Sequence, residues 1–106
     1  ASRAEEAGRR PDLRGTFDVV VARSFGGPAV TAECGAPFLV AGGRLVVAEP
    51  PGGSADRWPA EGLEVLGLRP VEAMTEPSAF QVLLQQEPCP ERFPRRTGIP
   101  AKRPLF

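Results

Sequence analysis

Phe17-Asp18-Val19-Val20-Val21-Ala22 is the stretch on which the fold turns. Three consecutive valines between Phe and Ala, with one acid near the start, leave no polar face. Such a run is expected of a strand covered on both faces, the kind found in parallel sheets. Downstream, Gly26-Gly27-Pro28 breaks the strand and places proline in the first turn of a helix, where its missing N–H costs nothing. Val30, Cys34 and Phe38 then recur at four-residue spacing as one helical stripe, with Pro37 tightening its end. Gly42-Gly43 is read as a flexible turn, and Arg44-Leu45-Val46-Val47-Ala48 as a second strand of the same buried kind.

Beyond this unit, Pro50-Pro51-Gly52-Gly53 stops the second strand. Asp56 is placed to cap a short helix with Pro59 in its first turn, Leu63 and Leu66 on its inner face and Gly67 at its end. Leu68 to Met74 is expected as a third strand and Ala79 to Leu84 as a fourth. Only about four residues around Pro77 join these two, too few for a parallel crossover, so the pair should be antiparallel. Upstream, Ser2 to Arg10 is a polar helical turn or loop, and Pro11 to Thr16 a connector. Strand, helix, strand, helix, strand, strand is the grammar of half an α/β sheet. The expected fold is α/β: the C-terminal half of a Rossmann-like methyltransferase fold, mostly parallel with one antiparallel strand. Residues 1–87 form that partial domain and 88–106 a basic, proline-rich, irregular tail.

Composition narrows the chemistry. The 106 residues contain no His, so His-based triads, His zinc sites and imidazole acid–base catalysis have no place in this segment. The two cysteines, Cys34 and Cys89, are too far apart for a CxxC motif and too few for a tetrahedral zinc site, and both are expected as free thiols. Apolar runs such as Leu45 to Ala48 fall far short of the ~20 residues a membrane-spanning helix needs. The chain opens Ala1-Ser2-Arg3-Ala4-Glu5-Glu6 without a basic-then-apolar leader pattern, and the expectation is a cytoplasmic protein. A polar opening without Met that runs into a buried-looking strand is read as the later part of a longer protein.

Thirteen basic residues balance thirteen acidic ones, yet the charge is unevenly placed. Residues 88–106 hold Arg92, Arg95, Arg96, Lys102 and Arg103 against Glu91 alone, a net of plus four. The remaining eight basic and twelve acidic groups give minus four. A cationic end on an acidic body suggests a polyanionic partner, nucleic acid first, although five charges alone favour a solvated terminus with no partner.

Four stretches, in order along the chain, resemble the RsmG (GidB) family of bacterial 16S rRNA guanine-N7 methyltransferases. Arg3-Ala4-Glu5-Glu6 is similar to the family's segment after its third strand. Phe17 to Ala22 with Arg23-Ser24-Phe25 is similar to its fourth-strand motif. Glu33-Cys34, Pro37-Phe38-Leu39 and Gly42-Gly43-Arg44-Leu45 resemble the helix and glycine turn entering the fifth strand. The most specific is Arg92-Phe93-Pro94-Arg95-Arg96-Thr97-Gly98-Ile99-Pro100-Ala101-Lys102-Arg103-Pro104-Leu105, which resembles the family's C-terminal Tyr-Pro-Arg-Arg-x-Gly-x-Pro-x-Lys-x-Pro-Leu.

The resemblance implies an S-adenosylmethionine-dependent transferase acting on 16S rRNA or the small ribosomal subunit, with no metal and no membrane. It implies cofactor contacts at Ala4, Glu5 and Arg23, and RNA contacts at Arg92, Phe93, Arg95, Arg96, Lys102 and Arg103. No residue is assigned as catalytic. Read without the family, Arg23 is a cation pairing with Asp18 or Glu33, and Glu5 an exposed helix residue. Phe93 is expected as an exposed ring on which a base stacks, with Phe25 a lesser candidate, while Phe17, Phe38 and Phe80 are assigned to the core and Trp58 beneath its short helix.

Two departures from the family stand out. Ala48-Glu49-Pro50-Pro51 replaces a Leu-Lys-Gly-like segment, so Glu49 is either a simple strand-end residue or a mark of altered RNA contacts. The glycine-rich loop that holds the cofactor's methionine end in such folds is not among these residues. The segment alone is therefore expected not to bind S-adenosylmethionine or turn over, and its exposed former central strand invites self-association. The alternative is a non-catalytic RNA-binding module derived from such an enzyme.

Overall fold

The computed structural model describes residues 10, 12–23, 27–49, 57–74, 79–96 and 98–106. Among them a four-stranded sheet runs in the order β1-β2-β4-β3, with β1 at Phe17–Arg23, β2 at Leu39–Ala48, β3 at Leu68–Met74 and β4 at Phe80–Gln85. Helix α1, Pro28–Gly35, continues into a 3-10 turn at Ala36–Phe38 and carries the chain from β1 to the parallel β2. The β2–β4 and β4–β3 pairs are antiparallel. β4 alone runs against β1, β2 and β3, so the described sheet is mostly parallel with the one reversed strand expected. That reversal follows from the short β3–β4 connection.

The valine run forms β1 as expected, but its burial is different. Val19 and Val21 are 56% and 70% exposed, and Phe17 is 42% exposed. Side chains two apart share a face, so Phe17, Val19, Val21 and Arg23 line one open side, while Val20 and Ala22 face the core. That face of the sheet is left open here, and β1 is in addition the edge strand among the described residues. Phe17 instead meets half-buried Phe38 edge-to-face, ring centroids 6.0 Å apart at 75°. Phe80 is half-buried on β4, and Trp58 is in the core as expected.

Gly42-Gly43, expected as a turn, lies inside β2. Pairing jumps from Phe17↔Leu39 to Val19↔Arg44, so β2 bulges between the two registers. Gly42 supplies φ 91°, and a Cβ on Gly43 would stand 2.9 Å from the Asp18 carbonyl oxygen, so only glycine allows β1 to approach this closely. Helix α2 spans Ala60–Glu64 with Pro59 as its N-cap residue rather than in its first turn, and the Asp56 cap lies outside the described residues. Leu63 on the helix and Leu66 in the turn that follows it are fully buried. Gly67, at φ 81°, ends the helix and turns into β3.

Residues 88–106 are not a free tail. Phe93 joins Leu45, Trp58, Leu63 and Leu83 in the core, a short helix α3 forms at Ile99–Lys102, and Phe106 packs on Gly62 of α2. No helix among the described residues is long and apolar enough to cross a membrane.

Candidate functional site

Two regions carry the residues assigned from the sequence. The first is the carboxyl end of the parallel pair, where ligands of open α/β sheets bind. Arg23 closes β1 in register with Ala48 at the end of β2, and its side chain is exposed. Neither alternative partner holds it: among the described residues Arg23 has no ion pair, and Glu33 is engaged elsewhere. Glu49 follows Ala48; its side chain is 8% exposed and its Oε2 accepts from Arg57 Nη1 at 2.8 Å. Glu49 is thus a strand-end carboxylate with an internal cation, and its second oxygen, Oε1, is buried without a hydrogen bond among the described residues. Ala4, Glu5 and Phe25 lie outside the described residues.

The second region is the C-terminal segment. Its first part is locked by Arg14, whose Nη1 donates to the Phe93 carbonyl at 2.6 Å and whose Nη2 donates to those of Pro90 at 2.8 Å and Cys89 at 3.3 Å. These bonds satisfy carbonyls that no regular element pairs. Its second part is locked by Glu33 on α1. That carboxylate is fully buried and accepts from the Arg95 backbone N–H and from its Nε and Nη2, the closest contacts being 2.8 Å. Arg95 Nη2 also donates to the Arg103 carbonyl at 2.6 Å. The Glu33 hydrogen bonds are the main reason the Arg95 guanidinium holds its proton more tightly than usual.

One of the assigned RNA contacts, Phe93, is corrected by this geometry, and a second, Arg95, is partly committed inside the fold. Phe93 is 4% exposed and is a core residue, because Arg14 draws its backbone onto the sheet while the ring fills space beside Trp58. No base can stack on it without unfolding the segment. Arg95 has most of its donors committed inside the fold, since a buried carboxylate demands a partner. Arg92, Arg96, Lys102 and Arg103 remain exposed, Arg92 lying over the outer part of the Phe93 ring at 4.9 Å from its centroid. The sequence reading missed Arg14 and the role of Glu33. A lone acid in the Ala-Val-Thr-Ala-Glu-Cys-Gly helix was the available signal for the second; nothing local marks the first.

Neither cysteine forms a disulfide; Cys34 is buried and Cys89 half-buried. Burial pushes the Cys89 thiol up from its ordinary 9.0 to about 11. Because the folded state holds this proton more tightly than the unfolded one, the associated stability is present below pH 9 and lost as pH rises from there to about 11. Denaturation midpoints measured from pH 8 to 11 should fall more steeply for the natural sequence than for Cys89→Ser.

No family model matches the sequence. Curated relatives do. The chain is 33% identical over 97% of its length to "Ribosomal RNA small subunit methyltransferase G" of Moorella thermoacetica, covering 46% of that protein. Proteins of the same name from Roseiflexus castenholzii and Deinococcus deserti are each 36% identical over 99% and 100% of the chain, which covers 48% and 47% of them. Among solved structures, a T. thermophilus 16S rRNA N2 G1207 methyltransferase in complex with AdoMet and guanosine superposes with a TM-score of 0.56 at 23% identity. That match covers 84% of this chain and 24% of the other, and it shows a shared fold. In sequence, the chain is related over nearly all its residues to the ribosomal RNA small subunit methyltransferase G family, and it spans about half the length of the curated relatives it matches.

Proposed function

We propose that these residues form the C-terminal half of a small-subunit rRNA methyltransferase whose complete chain moves the methyl group of S-adenosylmethionine to N7 of a guanine in 16S rRNA, in the cytoplasm. The observation that carries the reading is the 33–36% identity, across 97% or more of the chain, to proteins named for that class. The chemistry asks little of side chains. Guanine N7 carries a lone pair and the sulfonium methyl is already activated, so alignment and electrostatic environment suffice, and a segment without His is suited to it. The described residues supply one wall of a cofactor site: Arg23, an exposed cation at the carboxyl end of β1, fits an anionic group of the ligand. Ala4 and Glu5 are proposed to border the adenine.

The outer edge of β1 would pair with a strand of the other half, and an element of that half packed on the same face would cover Val19 and Val21. The exposed Arg92, Arg96, Lys102 and Arg103 would meet RNA phosphates. On this reading, calorimetric titration of S-adenosylmethionine gives binding to the longest natural chain containing these residues and none to the 106-residue segment, which self-associates. Absence of binding by both would replace the enzyme with a non-catalytic RNA-binding module. Alanine at Arg96 or Lys102 should weaken RNA binding across sequences alike and reduce the slope of log affinity against log salt by about 0.7–0.9 for each cation removed. An unchanged slope would remove these residues from the interface.

A further inference from the structure

Arg96, Lys102 and Arg103 stand on the later part of the C-terminal segment, which one buried carboxylate ties to helix α1. Glu33, with a side chain 0% exposed, takes the backbone N–H and the guanidinium of Arg95 together. The same guanidinium reaches the carbonyl of Arg103, the residue that closes α3. One planar group therefore spans the distance from helix α1 to the end of α3, where Lys102 and Arg103 stand, with Arg96 next in sequence to the clamp. An apolar side chain would fill the Glu33 position without desolvating a charge. What a carboxylate adds is direction, because its bonds to Nε and Nη2 fix the plane of the guanidinium and hence the donor aimed at Arg103.

We propose that Glu33 is a positioning residue for RNA docking: through Arg95 it holds the carbonyl of Arg103, and so sets the spacing at which Arg96, Lys102 and Arg103 meet successive phosphates. The inference rests on the RNA-binding reading above and goes beyond it by assigning this role to a buried acid on a helix that does not itself face the polyanion. Its physical basis is prearrangement. A segment that folded on contact would give up backbone and side-chain entropy at the moment of binding, whereas this one has given it up on folding.

The test uses the longest natural chain containing these residues, with a labelled 16S rRNA fragment as probe and anisotropy titrations at several salt concentrations, each well below the melting temperature of the variant. Glu33→Gln keeps shape and loses the charge; Arg95→Lys keeps charge and loses the fork, and it serves if Glu33→Gln does not fold. Both should bind RNA on the order of tenfold more weakly, with a shallower salt slope, while S-adenosylmethionine affinity stays unchanged. A folded variant with lowered melting temperature but natural RNA affinity and slope would overturn the inference. So would equal losses of RNA and S-adenosylmethionine binding, which mark a structural role only. Arg96→Ala and Lys102→Ala separate the two levels: if they leave RNA affinity unchanged, the RNA reading fails and takes the inference with it. If they weaken binding while Glu33→Gln does not, the inference alone fails.

Discussion

Phe93→Ala is expected to cost about 3–5 kcal/mol of stability, the range for emptying an aromatic site in a packed core. The ring is 4% exposed and sits in the cluster with Trp58, Leu63 and Leu83. Its loss also loosens the turn that Arg14 holds through the Phe93 carbonyl, so the cavity would not collapse cleanly. Denaturant unfolding at fixed pH measures the change. The salt slope of RNA binding, taken well below the new midpoint, should be the natural one, because Phe93 presents no charge and almost no surface. A variant with natural stability and weakened RNA binding would return Phe93 to the role the motif first suggested, a ring that stacks on a base.

Gly67→Ala is the second large effect. Gly67 has φ 81°, and a non-glycine residue in that region costs about 1–3 kcal/mol from backbone strain alone. The added Cβ would stand 2.5 Å from the Glu87 carbonyl oxygen and 2.8 Å from Gln85 Nε2. That amide donates to the Leu66 and Glu87 carbonyls, and the Gly67 carbonyl accepts from the Gln86 and Glu87 N–H groups. Alanine must therefore push apart the joint between the end of α2, the start of β3 and the end of β4, all backbone or tightly bonded. The expected result is a loss of stability above the strain term, read as a drop in the denaturation midpoint at unchanged slope. Gly42→Ala shares the positive φ but meets nothing within 4 Å, and should lose only the strain term.

The strands and the first helix were legible because their signals are local. The valine run of β1, the Leu45-to-Ala48 core of β2 and the whole of β3 carry their β character in neighbouring residues, and the brevity of the β3–β4 link dictates antiparallel pairing. Gly42-Gly43 misled because two glycines read as a turn and as an in-strand bulge are the same letters. The choice is made by the Asp18 carbonyl of another strand. The burial of β1 was misjudged for a related reason: an apolar run records the surroundings a strand is built for, and this edge has none among the described residues.

The candidate site divides in the same way. Arg23 at a strand end and the cations of the C-terminal motif were named as site residues through the family resemblance, which rests on short local stretches of the chain. By itself the sequence determined the α/β class, the strand order in time, the cationic end and the family likeness. Only the tertiary structure decided which members of one motif face outward. Arg92, Arg96, Lys102 and Arg103 do; Phe93 and Arg95 turn inward. The reason is that a carboxylate sixty-two positions upstream of Arg95 is buried and must be neutralised. A guanidinium on Arg14 likewise needs carbonyl acceptors and finds them seventy-nine positions away at Phe93. Contacts at such separation leave no periodic trace in the chain, because they are set by packing and charge compensation rather than by neighbouring residues.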